Sequence, residues 1–114
     1  MTIAGATGSA AALAAAREFG TRLRERLGSR VLDLRLFGST ARGEAHEESD
    51  VDIAVVLDTV DWETRAQAID LATTVGLEMD LLLSPTVLDR ETFDRWLRQE
   101  RALARDIVDQ GIPL

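Results

Sequence analysis

Apolar residues recur along the chain with two different periods, and these periods predict its secondary structure. A helical period begins after Ser9, a candidate N-cap, and stops before Gly28, a candidate C-cap. Its apolar stripe comprises Leu13, Ala16, Phe19, Leu23 and Leu27. Strict alternation over residues 31–37 predicts a first strand, and the β-branched run at residues 51–57 predicts a second. The polar stretch between them is expected to form a short helical turn followed by a loop.

The second half of the chain continues the alternation of helix and strand. Asp61 can cap a helix that ends near Gly76, and residues 77–83 predict a third strand that Pro85 stops. A last helix is expected over residues 90–110. The predicted buried stripe of the middle helix is Trp62, Ala66, Ile69 and Thr73. Both tryptophans, Trp62 and Trp96, therefore fit the core, with contact to a partner protein as the alternative.

This order of elements predicts a small α/β (α+β) domain. A mixed sheet of three or more strands flanked by helices buries all the apolar faces, and three strands with helices on one side is the most economical version. We expect residues 1–8 to be a disordered N-terminus and residues 9–114 to be a single domain. No second domain is expected, so an active site should be an open cleft.

Composition excludes several classes of function. The 114 residues carry a formal charge of −7, which argues against a general nucleic-acid binder. There is no cysteine and one histidine, His46, so disulfides, thiolate metal sites and sites with several histidines are excluded. No stretch predicts a membrane span, and the Ala-rich start lacks the basic region of a signal peptide. We therefore expect a cytoplasmic protein.

Candidate chemistry begins with two acids at the start of the second strand. Asp50 and Asp52 are two residues apart, so both carboxylates project from one face of the strand. Two like charges held close together repel each other unless a cation neutralises them, and carboxylate oxygens at an open cleft suit Mg²⁺. Two solvated surface acids are the alternative interpretation of this pair alone.

Other polar residues strengthen the metal interpretation. Gly38 and Ser39 follow the first strand, where backbone N–H groups and a hydroxyl could hold a phosphate, and Arg42 could reach the same anion. An ordinary tight turn is the alternative. Glu78 and Asp80 lie in the predicted third strand, on its polar side. Beside the second strand, either would complete a set of three carboxylates suited to phosphoryl or nucleotidyl transfer.

The chain closely resembles the DNA polymerase beta-like nucleotidyltransferase superfamily in these segments. Residues 36–44 read LFGSTARGE and residues 49–53 read SDVDI, so that ten residues separate the Gly-Ser pair from the Asp-x-Asp pair. The complete string is similar to the minimal nucleotidyltransferase branch of bacteria and archaea. The segment MDLL at residues 79–82 resembles the strand that carries the family's third acid. The resemblance implies a polymerase beta-like palm fold.

The resemblance also implies a role for each matching residue. Gly38 and Ser39 would hold the triphosphate of the nucleotide. Arg42 and Ser49 belong to the motif and would contact phosphate and brace the loop. The metal-binding and catalytic acids would be Asp50, Asp52 and Asp80, with Asp80 also acting as base, and Glu78 remains open as an alternative for that third position. The implied cofactor is Mg²⁺, as two ions, with ATP as the substrate.

The resemblance finally implies a partner. Minimal nucleotidyltransferases act with small helical HEPN proteins, and some are antitoxins that transfer AMP to a tyrosine of that toxin. We therefore expect an AMP-transferring antitoxin with a HEPN partner. A non-catalytic antitoxin that only binds its partner is one alternative. An enzyme that modifies a small molecule such as an aminoglycoside is another, and the absence of a second domain makes it the weaker one.

Overall fold

The chain forms one sheet with two helices packed on each face. The computed structural model describes residues 4–43 and 50–114. The helices are α1 (Ala4–Leu27), α2 (Trp62–Met79), α3 (Arg90–Arg98) and α4 (Ala102–Gln110), and a short 3-10 turn, Gly28–Arg30, follows α1. The strands are β1 (Val31–Phe37), β2 (Val51–Leu57), β3 (Leu83–Asp89) and β4 (Ile112–Pro113). Within the described part of the chain, no helix combines the length and apolar character of a membrane span.

The strand order is β3-β2-β1-β4, which makes the sheet mixed as predicted. β1 pairs antiparallel with β2 and with the short β4, whereas β2 pairs parallel with β3. In this register Asp52 lies between Phe37 of β1 and Ser84 of β3. β2 is therefore a central strand, and its first residues, beside Asp50 and Asp52, lie at one end of the strands.

Each face of the sheet has its own apolar core. The first core joins α1 and α2 to one face through Phe19, Leu23, Leu71 and Val75, which pack with the alternate β2 residues Val51, Ile53, Val55 and Leu57. The second joins α3 and α4 to the other face through Phe93, Ala104 and Ile107, which pack with Phe37, Ala54, Val56 and Leu88. The expectation of helices on one side was therefore wrong, because the even positions of β2 are apolar in its second half and need a cover of their own.

α1 matches its predicted stripe better than its predicted start. Ala16, Phe19 and Leu23 are buried, and the helix ends where Gly28 adopts φ of 57°. The helix starts at Ala4, so Ser9 lies inside it and is not an N-cap. Alanine has the highest helix propensity, and the Ala-rich start lets the helix extend beyond a residue that is elsewhere a common cap.

The predicted third strand over residues 77–83 was wrong. α2 continues through Met79, because Leu, Glu and Met are all good helix formers. It ends at Asp80, which adopts φ of 56°, and the N–H of Leu81 donates to the carbonyl of Gly76 at 2.9 Å. Gly76 lies inside the helix, where a Cβ atom would approach the Leu81 carbonyl to 2.5 Å. The glycine thus permits the chain to turn back closely.

β3 begins later than predicted, at Leu83, and runs through Pro85, which was expected to stop a strand. Proline has no N–H to donate to a neighbouring strand. β3 lies at the edge of the sheet, where it pairs only with β2, and an edge strand tolerates that loss. The strand signal was therefore real but displaced along the chain.

Two further helix predictions need correction. In α2 the buried residues are Thr64, Ala68, Leu71, Ala72, Val75 and Gly76, whereas the predicted core residues Trp62 and Ile69 are exposed. α2 has two apolar stripes with the same period, and periodicity alone does not choose between them. The predicted last helix is two helices, because the chain turns at Glu100, which adopts φ of 54°. No glycine or proline marks that break in the sequence.

Candidate active site

The first part of the candidate site is the turn that follows β1. Gly38 adopts φ of 76°, a left-handed conformation that glycine reaches without strain. The N–H of Arg42 donates to the Gly38 carbonyl at 3.2 Å, and the Thr40 hydroxyl donates to the Phe37 carbonyl at 3.4 Å. Residues 38–42 thus form one helical turn at the end of the strand, as the sequence predicted for the start of this polar stretch.

The second part is the acid pair at the start of β2. Asp50 is exposed and directly precedes the strand, and Asp52 is the second strand residue and half-buried. Between and after them Val51 and Ile53 are fully buried on the opposite face. The prediction that the acids lie on the face opposite Val51, Ile53, Val55 and Leu57 is confirmed for Asp52, and Asp50 lies close enough to raise the pKa of that carboxyl.

Gly38 and Asp52 are in direct contact, which joins the two parts. Asp52 pairs with Phe37, the residue before the glycine. A Cβ atom built on Gly38 would lie 2.5 Å from Oδ2 of Asp52, far closer than atoms can approach. The lack of a side chain at Gly38 therefore lets the carboxylate lie against the backbone of the turn. A phosphate held by the turn would lie next to this carboxylate.

The electrostatics of the pair favour a bound cation. Burial raises the pKa of Asp52, and the negative charges of Asp50 and Asp106 raise it further, whereas Arg42 lowers it. The negative charges of the two carboxylates thus repel each other. A divalent cation would remove that repulsion, and Mg²⁺ commonly binds through one or two carboxylates together with substrate phosphates and water. The donor set fits Mg²⁺ held by Asp50 and Asp52.

The structure adds one acid that the sequence interpretation missed. Asp106, on α4, accepts hydrogen bonds from Nη1 of Arg42 at 3.2 Å and 3.4 Å, to its two carboxylate oxygens. It also lies close enough to Asp52 to raise the pKa of that carboxyl. No local signal marks Asp106, because it lies in a helix where acids and arginines alternate and in the sequence is far from its partners. Only the packing of α4 on the sheet brings it to the site.

Asp80 is placed differently from the prediction. It forms the left-handed C-cap of α2 and not a position in the strand beside Asp52. Among the described residues, no three His, Cys, Asp or Glu side chains form a group that could hold a metal ion. The structure therefore does not bring Asp80 together with Asp50 and Asp52. Its assignment as third acid and base stays a prediction from the resemblance.

The alternative third acid, Glu78, has another partner. Its carboxylate accepts a hydrogen bond from Nη2 of Arg22 on α1 at 2.7 Å, so it ties α2 to α1. The residue of β3 beside Asp52 is Ser84, a hydroxyl and not an acid. Another sequence candidate, Ser49, lies outside the described residues, as does the rest of the 44–49 segment.

Comparison with known proteins identifies the family of the chain. The family described as "Nucleotidyltransferase domain" matches residues 16–109. A Methanocaldococcus jannaschii protein named "Putative protein adenylyltransferase MJ0604" is 33% identical over 97 residues, covering 85% of this chain and 91% of its own. The chain therefore belongs to the nucleotidyltransferases.

Similar solved structures identify the family within the nucleotidyltransferases to which the chain belongs. A structure described as a minimal nucleotidyltransferase is 30% identical, with a TM-score of 0.57 over 90% of this chain and 92% of that one. A toxin–antitoxin structure with AMP-PNP is 28% identical, with a TM-score of 0.56 over 84% of this chain and 69% of that one. Within the nucleotidyltransferases the chain is a member of the minimal nucleotidyltransferase family.

Proposed function

We propose that this protein transfers AMP from ATP to a hydroxyl group of a partner protein, a tyrosine of a HEPN toxin, and thereby acts as an antitoxin. The observation that carries the proposal is the close approach of Gly38 to Asp52, because the glycine turn that follows β1 lies against two carboxylates that repel each other. The similarity to a protein named as an adenylyltransferase and to a toxin–antitoxin structure with an ATP analogue supports the same choice.

The residues divide the work in a simple way. The turn at Gly38 and Ser39 would hold the triphosphate, and Asp50 and Asp52 would hold Mg²⁺. When bound, the metal ion would neutralise phosphate charge and so lower the cost of charge that develops during transfer. The acceptor hydroxyl gives its proton to water at the open site and its oxygen bonds to the α-phosphorus, while the bond from that phosphorus to the bridging oxygen breaks and pyrophosphate leaves. Most of the catalysis is positioning and charge neutralisation.

Arg42 and Asp106 complete the proposed site. A guanidinium is a strong donor to phosphate oxygens, and its planar geometry suits an anion held at a fixed place. The hydrogen bonds from Arg42 to Asp106 fix the direction of the arginine side chain beside the turn. We therefore assign Asp106 as a positioning residue for Arg42. In this arrangement Asp80 is not assigned as a metal ligand.

The test compares two labels on one nucleotide. The chain is purified with the HEPN-domain protein of the same genome, Mg²⁺ is added, and transfer is followed from ATP labelled at the α- or γ-phosphate. Transfer of the α-label alone onto the HEPN protein is expected, and it should disappear in the Asp50→Asn/Asp52→Asn variant. Asp109→Asn, an exposed acid on α4 that pairs with Arg105, is the matched control and should transfer normally.

Other outcomes would point to other functions. Transfer of the γ-label would mean phosphorylation and not nucleotidyl transfer. No transfer of either label, with the double variant still neutralising the toxin, would mean that the protein acts by binding alone. Label on a free aminoglycoside and none on protein would identify a small-molecule enzyme.

A further inference from the structure

α2 carries an apolar stripe that no other part of the described ranges, 4–43 and 50–114, covers. The α2 stripe consists of Trp62, Ala66, Ile69, Thr73 and Leu77, which follow one another at helical spacing. Trp62 is 83% exposed, Leu77 is 80% exposed and Ile69 is 46% exposed. A surface helix needs one apolar face for its own core, and α2 already has one in Ala68, Leu71 and Val75. The second apolar face therefore contributes little to the core of the described residues.

The surface beside the α2 stripe has shape as well as apolar character. A groove of about 300 Å³ is lined by Val60, Asp61, Trp62, Arg65, Ala66 and Ile69. A smaller depression of about 110 Å³ lies at the other end, between Leu77 and the Leu81–Leu83 segment. From Trp62 to Leu77 the helix rises about 22 Å, the length of a four-turn helix lying alongside it. Two depressions near the ends of such a length suit the protruding side chains of a partner helix.

The charges bordering the α2 stripe indicate what kind of helix would fit. Glu63 and Asp70 each follow a stripe residue by one position, so they lie along one edge of the stripe. Both are exposed, and neither forms an ion pair with another residue in the described ranges. The chain as a whole has a formal charge of −7. A partner helix with Lys or Arg beside its apolar ridge would complement this edge, whereas a second copy would add further negative charge.

The α2 stripe also leads to the candidate site. Leu82, 65% exposed, continues the apolar surface beyond the end of the helix. Its carbonyl accepts a hydrogen bond at 2.8 Å from the N–H of Val51, the residue between the two site aspartates. A helix lying on the stripe would therefore reach the end of the strands that carries Asp50 and Asp52, on the opposite face of the sheet. A segment that continues beyond the docked helix would pass that end of β2 to reach the place where transfer is proposed.

We propose that the α2 stripe is the docking surface for an amphipathic helix of the partner protein, whose apolar ridge is bordered by Lys or Arg. The identity of that partner rests on the proposed function, in which it is the HEPN protein that accepts AMP. The docking surface then supplies what the small domain lacks, a means of holding a macromolecular acceptor beside an open site.

The test measures binding of the purified HEPN-domain protein of the same genome by calorimetry without nucleotide. Trp62→Ser/Leu77→Ser should weaken binding at least tenfold, since a few anchor residues, with tryptophan prominent among them, carry most of the affinity of an interface. Leu32→Ser/Leu103→Ser changes two other exposed leucines and is the matched control, expected to bind within twofold of wild type. Circular dichroism checks that both variants fold. Equal binding by the stripe variant would overturn the proposal.

A second pair of substitutions tests the charged edge. Glu63→Arg/Asp70→Arg should weaken binding, and the affinity of this variant should no longer decrease as the salt concentration rises. Unchanged affinity and unchanged salt dependence would overturn the proposal that Lys or Arg borders the apolar ridge of the partner helix. If the chain alone is a dimer and the stripe variant a monomer, the occupant is a second copy and the proposal falls.

Label transfer in the same samples separates this proposal from the proposed function. Asp50→Asn/Asp52→Asn should bind the partner and transfer nothing. The stripe variant should regain transfer at saturating partner concentration. Transfer by wild type together with unchanged binding by the stripe variant would overturn the docking surface alone. A HEPN protein that wild type neither binds nor labels would overturn both.

Discussion

The two faces of the sheet use the same strand for different purposes. Toward α1 and α2, every alternate residue of β2 from Val51 to Leu57 is apolar and fully buried. Toward α3 and α4, β2 changes along its length: Asp50 and Asp52 come first, and Ala54 and Val56 are covered by the helices only afterwards. One face is therefore a continuous core, and the other is half core and half open site.

This difference shows how a small domain can carry repelling charges and remain folded. Burying apolar side chains stabilises in proportion to area, and the α1–α2 face supplies the larger cluster. The repulsion between Asp50 and Asp52 is a cost that this face offsets. Substitutions at neighbouring positions of β2 should therefore have opposite consequences, depending on which face the side chain joins.

The largest effect is expected for Asp52→Asn. The variant removes one of two proposed metal ligands and the charge that faces Gly38, so AMP transfer should fall by roughly 10³-fold or more. The fold should remain, because the side chain is half-exposed and the substitution nearly preserves its shape. Steady-state kinetics with α-labelled ATP measure the loss, and thermal unfolding measures stability. Normal transfer by a folded Asp52→Asn protein would contradict the proposed site.

The adjacent substitution, Ile53→Ala, should act on stability. Ile53 is fully buried in the α1–α2 face, so truncation removes apolar contacts and leaves a cavity. The free energy of unfolding should fall by about 2–4 kcal/mol, measured by urea denaturation. Transfer by the fraction that remains folded should stay near that of wild type. A loss of transfer as large as that of Asp52→Asn, without unfolding, would mean that the two faces are not separate in function.

The two halves of the chain also differ in how far the sequence predicts them. β1 and β2 are predicted with the bounds that the structure shows, because alternating residues bordered by glycine or polar residues leave one interpretation. The segment at residues 77–83 was misassigned, since its alternating apolar residues fit a strand while its residue types favour a helix. The choice depends on the close approach of Gly76 to Leu81, a contact at the C-terminal end of the helix that periodicity does not contain.

The candidate site divides in the same way. Gly38, Asp50 and Asp52 are close in sequence and joined by one strand pairing, so a motif can predict them together. Asp106 reaches Arg42 only because α4 packs on the sheet, and no spacing rule indicates it. The break between α3 and α4 determines that packing, and no residue pattern in the sequence predicts it either. Chemistry carried by one strand pair is predictable from sequence, and chemistry assembled by helix packing is not.

A smaller effect on transfer is expected for Asp106→Asn, because Asp106 on α4 contacts Arg42 beside the Gly38 turn. Asp106→Asn keeps a hydrogen-bond acceptor for Arg42 and removes the charge that strengthens the bond. The KM for ATP should rise about tenfold with a smaller change in kcat, because Arg42 would lose its fixed direction toward the phosphates. Asp109→Asn on the same helix is the control. A fall in kcat at constant KM would instead give Asp106 a direct part in the chemistry.

The repulsion in the site should also appear as a pH dependence of stability. The pKa of Asp52 is raised, chiefly by burial and then by Asp50 and Asp106, so its ionised form costs folding energy above that pKa. Without metal ions, Asp52→Asn should be more stable than wild type at pH 7, by less than about 1 kcal/mol because water screens a half-exposed group. The difference should shrink as the pH falls through the raised pKa of Asp52, because the carboxyl is then protonated in the folded protein and the repulsion disappears.

Thermal unfolding in EDTA across this pH range measures the effect, and added Mg²⁺ should stabilise wild type more than the variant. Equal stability of the two proteins from pH 4 to pH 7 would mean that Asp52 carries no electrostatic cost.

The smallest effect is expected for Asp80→Asn, which decides whether the third acid of the resemblance works from the end of α2. Asparagine adopts the left-handed conformation of this C-cap as readily as aspartate, so the free energy of unfolding should be unchanged. Because the structure does not group Asp80 with Asp50 and Asp52, transfer should stay within about twofold of wild type. A loss comparable to that of Asp52→Asn would show that Asp80 takes part in transfer, as the resemblance implies. Glu78→Gln, which only breaks the pair with Arg22, would then distinguish a specific role of Asp80 from general loosening of α2.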